Sequence, residues 1–156
     1  MEKKRKIKHV NLPDYCYNLA TNTKHRVKWF SQPDLAYEVV DAIYEYRERY
    51  GFKLLAFVVM PDHLHLMIIP GGGKPVSEIV KEIKRASSIK INKRLKRKGP
   101  FWQEGYFEDI LEGSKMVMNK IRYIHENPVK AGLCDIPGEY EFSSANDKWI
   151  KDWDYL

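Results

Sequence analysis

Apolar and polar positions along this chain switch between a period of two and a period of about 3.6, and the switches lay out its elements. Tyr15–Thr23 alternates in part and predicts a strand. The polar, basic stretch Thr23-Lys24-His25-Arg26 follows as a loop. Pro33 opens a helix in which Leu35, Val39, Ala42, Ile43, Tyr46 and Tyr50 form one apolar stripe, and Gly51 ends it. Phe52–Met60 is an almost continuous apolar run, the pattern of a buried central strand. Pro61-Asp62 makes a tight turn, and His63–Ile69 returns as the next strand before Pro70 and Gly71-Gly72-Gly73. Pro75–Leu95 reads as a second helix, with Val76, Ile79, Val80, Ile83 and Ile91 inward, basic residues outward and Gly99-Pro100 as its stop. A short strand is expected around Tyr106–Leu111. Ser114 then serves as the N-cap of a third helix that runs to Asn127, where Pro128 ends it. What remains reads as irregular and aromatic.

The order is β-α-β-β-α-β followed by a helix. This is an α+β pattern: a ferredoxin-like βαββαβ antiparallel sheet with two helices on one face. The additional C-terminal helix, which carries Tyr123, could cover part of the other face. A length of 156 residues suits one such domain. Residues 1–13 read as a mobile basic arm, 14–145 as the domain and 146–156 as a C-terminal tail.

Charge adds a partner class. The formal net charge is +6, from 27 Lys and Arg against 21 Asp and Glu, which favours an anionic partner such as nucleic acid. It is unevenly spread, with basic runs at Met1–Lys8 and Lys81–Lys98 and an acidic Asp135–Leu156. Cys16 and Cys134 lie far apart without a CxxC spacing, which argues against a disulfide framework or zinc ribbon and for a reducing, cytoplasmic setting. No apolar run has the length of a secretory h-region after the basic N-terminus, or of a membrane span anywhere.

The chemistry concentrates in Val58–Ile68. Side chains alternate along a strand, so His63 and His65 share one face while Leu64, Leu66 and Ile68 share the other. Paired imidazoles suit a divalent metal, although two histidines on a strand can equally be structural. A second group lies on the third helix. Tyr123 and Asn127 are four residues apart and so occupy one face. The Asn127 amide oxygen could be a third ligand, near a helix C-terminus that favours a cation. Tyr123 would sit beside the metal as a nucleophile, a role a phenol fills only when activated. His125, two residues on, points away and is not cast as a base.

Three blocks in order, Met60-Pro61-Asp62-His63-Leu64-His65, Phe101-Trp102-Gln103-Glu104-Gly105-Tyr106 and Tyr123-Ile124-His125-Glu126-Asn127-Pro128-Val129-Lys130-Ala131-Gly132-Leu133, resemble the REP-associated tyrosine transposases. These belong to the HUH superfamily of single-strand nucleases and transposases, whose signature is a His-hydrophobe-His pair. The resemblance spans roughly Tyr15 to Ser144. It implies a ferredoxin-like fold and a Mg²⁺- or Mn²⁺-dependent endonuclease and strand transferase acting on single-stranded DNA beside a hairpin. Carried over, His63 and His65 are metal ligands and Tyr123 is the nucleophile that forms a 5′-phosphotyrosine link. Asn127 matches the position of a third, amide ligand, where some relatives have Gln.

Charge alone nominates Lys24, His25, Arg26, Lys84, Arg85, Lys93, Arg94 and Arg97 as DNA-binding residues. Trp29, Phe30, Trp102 and Tyr106 could stack on bases or belong to the core. Other readings of the same residues are a catalytically silent DNA or RNA hairpin-binding module, a hydrolase with water as nucleophile, and structural histidines. Monomer and homodimer both remain open, since some relatives donate the tyrosine helix in trans.

Overall fold

The computed structural model describes residues 15–71 and 73–156. The basic arm expected over residues 1–13 lies outside them. Four strands, β1 (Cys16–Asn22), β2 (Lys53–Met60), β3 (His63–Ile69) and β4 (Phe107–Leu111), form one antiparallel sheet in the order β2-β3-β1-β4. Helices α1 (Pro33–Tyr50) and α2 (Val76–Leu95) join the strands, and α3 (Ser114–Lys130) follows β4. This is the expected ferredoxin-like α+β arrangement with one added helix.

The period-two pattern of β3 sets the two layers. Leu64, Leu66 and Ile68 join Leu35, Val39, Ile43, Ile79 and Ile83 in the larger core, beneath α1 and α2. Met67, on the histidine side, joins Val117, Ile121 and Ile124 of α3 in a second, smaller core with Cys16, Leu55, Ala56, Val58 and Met60. Burying each of those α3 aliphatics is worth roughly 1.5–3 kcal/mol, enough to seat a helix of this length on the sheet. Phe30 and Trp102 belong to the larger core, and Trp29 and Tyr106 are partly buried against it. The Cys16 thiol is buried and pushed up to about 12, so it stays protonated. Among the described residues no helix is long and apolar enough to cross a membrane.

Helix ends depart from expectation in two places. Gly113, not Ser114, is the N-cap of α3: its φ of 80° is a conformation that suits glycine, and Ser114 is already the first helical residue. Pro128 does not end α3, which continues to Lys130. A proline in the last turn forfeits one backbone bond, while burial of its ring and the bonds Ala131 N–H to Asn127 O (3.0 Å) and Leu133 N–H to Pro128 O (2.9 Å) keep the turn closed. Helix α2 ends at Leu95 as expected, where Lys96 turns left-handed (φ 51°) and caps it ahead of Gly99-Pro100.

The C-terminal segment has only two short 3₁₀ turns, yet it seals the edge of the sheet. Along β2, Val59 N–H bonds to Phe142 O (2.8 Å), Ser144 N–H to Phe57 O (2.9 Å) and Asp152 N–H to Leu54 O (2.9 Å). The Trp153 indole N–H and the Tyr140 hydroxyl bond to the carbonyls of Leu55 and Val59. An open edge strand is a template for unwanted pairing, and here the chain covers its own.

Candidate metal and nucleophile site

Strand β3 puts both imidazoles on the layer shared with α3, with ring centroids 4.9 Å apart and edge to face. Register across the sheet places His63 opposite Asn22 and His65 opposite Ala20 of β1. Above them, Val117, Ile121 and Ile124 anchor α3, and the helical repeat then turns Tyr123 toward the histidines. The Tyr123 ring lies 6.3 Å from the His65 ring, edge to face, and the side chain stays 45% exposed, so a substrate can reach it. Asn127 is half-buried one turn beyond Tyr123 on the same face. His125 turns the other way, as expected, and contacts Ser144 Oγ through Nε2 at 2.7 Å.

The surroundings depress one imidazole and orient the other. Burial, helped by the positive charges of His63 and Lys120, pushes His65 down to about 4, so it is neutral at physiological pH. A neutral imidazole is the ligating form. His63 Nδ1 lies 2.7 Å from Asp62 Oδ1. Burial alone would raise the Asp62 carboxyl, but bonds from His63 and Arg26 outweigh it and hold it below the usual carboxylate range. An ionised carboxylate only accepts, so His63 donates from Nδ1, which in the neutral ring leaves the lone pair on Nε2. A pair of adjacent imidazoles, one of them held by a carboxylate, fits a divalent metal. Among the described residues no set of three His, Cys, Asp or Glu could hold one, so further ligands would have to be an amide oxygen or substrate oxygens.

Two lysines complete the site, and charge patterning by runs had passed over both. Lys120 Nζ sits 4.6 Å and Lys130 Nζ 5.4 Å from the Tyr123 ring centroid. Their spacing from Tyr123, one turn back and two turns on, was the available signal. Together they make an electropositive surround for the Tyr123 ring.

The basic candidates divide. Lys24, His25 and Arg26 lie in the exposed turn after β1, and Arg26 Nε reaches Asp62 Oδ2 at 3.0 Å, beside the histidines. His25 and Arg26 both have positive φ (59° and 55°), a conformation that costs a non-glycine residue roughly 1–2 kcal/mol. Lys84, Arg85, Lys93, Arg94 and Arg97 lie on or just after α2, in the layer away from the histidines. Four of these have internal partners. Lys84 Nζ donates to the carbonyls of Gln103 and Gly105 (2.9 and 2.7 Å), Arg85 pairs with Glu82, Arg94 pairs with Glu38, and Arg97 bonds to Asn92 and lies over Trp29.

Comparison with known proteins follows the same lines. Residues 11–127 match the family model described as "Transposase IS200 like". A REP-associated tyrosine transposase of Escherichia coli is 29% identical over 104 residues, covering 66% of this chain and 60% of that protein. A Haemophilus influenzae protein provisionally given the same name is 25% identical over 107 residues, covering 62% of this chain and 61% of its own. The chain thus matches about three fifths of the length of these relatives. Among solved structures, a REP-associated tyrosine transposase bound to a REP hairpin superposes with a TM-score of 0.76 at 21% identity, covering 92% of this chain and 82% of that one.

Proposed function

The chain belongs to the IS200-like transposase family, and from that premise we propose that it is a metal-dependent single-stranded DNA endonuclease and strand transferase that cuts next to DNA hairpins. The observation that carries the reading is Tyr123 held 6.3 Å from His65 on the same chain, with Lys120 and Lys130 against its ring. The hairpin comes from the related transposase whose structure holds one.

His63, His65 and Asn127 would hold Mg²⁺ or Mn²⁺, which when bound neutralises charge developing on a scissile phosphate. Two imidazoles make Mn²⁺ a good choice in vitro, because Mg²⁺ prefers oxygen ligands. The Tyr123 oxygen attacks phosphorus in line. The bond from phosphorus to the 3′-side oxygen breaks, and the phenolic proton is released as that oxygen takes up a proton. The products are a 5′-phosphotyrosine and a free 3′-hydroxyl. A 3′-hydroxyl from the same or another strand can reverse the step, so the covalent link conserves bond energy between two transfers. Lys120 and Lys130 supply fixed positive charge for the phosphate oxygens. Because Tyr123 already stands beside the histidines of its own chain, the reading favours a site completed within one monomer.

The test is incubation with single-stranded hairpin DNA and Mn²⁺, then a denaturing gel. A covalent protein–DNA band that disappears with chelator and in Tyr123→Phe supports the proposal. Cleavage without a band, unchanged in Tyr123→Phe, would point instead to water as the nucleophile. Hairpin binding with no cleavage would leave a silent binding module.

A further inference from the structure

Asp62 stands between two groups that nothing in the tyrosine chemistry requires to meet. On one side its Oδ1 lies 2.7 Å from His63 Nδ1, and on the other its Oδ2 takes the Arg26 Nε–H at 3.0 Å. The backbone is arranged to bring them together. Thr23 N–H bonds to Asp62 O at 2.9 Å, and Thr23 Oγ1 lies 3.2 Å from the same carbonyl and 2.7 Å from Val27 O. Phe30 N–H bonds to Pro61 O at 2.9 Å. The turn after β1 is therefore laid on the Pro61-Asp62 turn before β3. Within it, His25 and Arg26 both take a left-handed conformation that side chains avoid. Such strain persists only where its surroundings enforce it, and here it delivers Arg26 to Asp62.

We propose that Arg26 and Asp62 form a positioning relay for His63, in which Arg26 orients the Asp62 carboxylate and Asp62 fixes the ring and tautomer of His63. The inference rests on the reading of His63 as a metal ligand. It deepens that reading by naming the residues that present the Nε2 lone pair. A carboxylate behind a ligating histidine fixes its orientation and raises its basicity. Asp62 is here a positioning residue and not itself a ligand. Its two oxygens are already engaged, and its carboxylate side chain is only 18% exposed.

Two measurements test the relay without DNA cleavage. The first is a long-range ¹H–¹⁵N imidazole spectrum of the metal-free protein at mildly alkaline pH. The relay requires His63 to carry its proton on Nδ1 in the wild type and to lose that preference in Asp62→Ala. A wild-type His63 protonated on Nε2 would overturn it. The second is calorimetric titration with Mn²⁺ alone, with folding of each variant checked by circular dichroism. Asp62→Ala should bind about 10–100-fold more weakly, the usual effect of removing such an outer partner. Asp62→Asn keeps an acceptor for Nδ1–H and should recover much of the loss. The exposed variant Arg26→Ala should weaken binding less than Asp62→Ala. His65→Ala, which removes a ligand outright, separates the two failures. If His65→Ala weakens Mn²⁺ binding and Asp62→Ala does not, the relay is wrong and the metal site stands. If Asp62→Ala and Asp62→Asn lose as much as His65→Ala, Asp62 is a ligand and the relay is again overturned. If the wild type binds no Mn²⁺, the metal reading fails first, and the spectrum still decides whether Asp62 sets the tautomer.

Discussion

Replacing Asp152 by alanine should unlatch the C-terminal segment from the edge of the sheet. The Asp152 carboxylate takes two bonds from Arg47, Nε at 2.9 Å and an Nη nitrogen at 2.6 Å, and a third from Leu54 N–H at 2.8 Å. Its own N–H bonds back to Leu54 O at 2.9 Å. The side chains are 13% and 26% exposed, so water replaces the lost partners only in part. Breaking a buried pair costs roughly 3–5 kcal/mol and a charged hydrogen bond about 1.5–3, so partial exposure puts Asp152→Ala near 2–4 kcal/mol. For a chain of this size that corresponds to a fall in Tm of about 4–16 °C. The pH dependence has a definite sign. The bonds from Arg47 hold the Asp152 carboxyl below its ordinary value in the folded state, against the opposing effect of burial. The pair therefore stabilises the fold fully above the unfolded-state value and ceases to do so as pH falls through the folded one. Urea unfolding followed by tryptophan fluorescence, at neutral pH and in steps to acid, measures both effects. A loss under 1 kcal/mol at neutral pH, or an acid-limb slope identical to the wild type, would refute the reasoning.

Other outcomes follow from the same contacts. Tyr123→Phe should abolish the covalent DNA band and leave hairpin affinity within about threefold, read by gel and by fluorescence anisotropy, since a single contact is worth little in salt-dependent binding. Lys120→Ala should slow cleavage by about 10–100-fold, the size of one lost electrostatic contact in a transition state, with Tm unchanged. Burial holds His65 near 4 in the folded chain against a reference of 6.5, so the unfolded chain binds the extra proton first. Stability should then decline as pH falls from about 6.5 toward 4, and less steeply in His65→Ala, checked by urea midpoints across that range. Lys84→Ala leaves the carbonyls of Gln103 and Gly105 without their donor and should cost about 1–2 kcal/mol by the same unfolding assay.

The elements were legible because their periods are clean. The alternation of Leu64, Leu66 and Ile68 against His63, His65 and Met67 assigned both faces of β3 correctly. The stripe from Leu35 to Tyr50 fixed α1. Helix ends were not legible to the same degree. The bias of the residue before a proline is local, and the burial of Pro128 against the rest of the fold overrode it. The C-terminal segment was read as irregular because most of its bonds to β2 run through backbone atoms and one serine, which leave no periodic trace in side-chain polarity. Charge runs were informative about total charge and poor about location. Arg85 and Arg94 are exposed and basic, yet they pair with Glu82 and Glu38 on the layer away from the histidines. Lys120, outside both basic runs, lies on Tyr123. Position relative to the site comes from the register of β3 and the rotation of α3, and no composition count carries either.

What holds that rotation bears on how the site is assembled. On its inner side α3 is seated by Ile121 and Ile124. On its flank His125 Nε2 meets Ser144 Oγ at 2.7 Å, and the same oxygen takes Phe57 N–H at 2.9 Å and lies 3.2 Å from Phe57 O. Phe57 belongs to β2, which is paired to β3 directly opposite Leu66. Each link from Tyr123 to His65 is thus a contact within one chain: helix, serine, β2, β3. A tyrosine donated by a second chain would require α3 to leave Val117, Ile121 and Ile124 exposed and Ser144 without its histidine. The apolar part alone, at roughly 1.5–3 kcal/mol for each buried aliphatic, sets a cost that an interface would have to recover. On the proposed reading, the geometry therefore weighs toward Tyr123 working beside the histidines of its own chain.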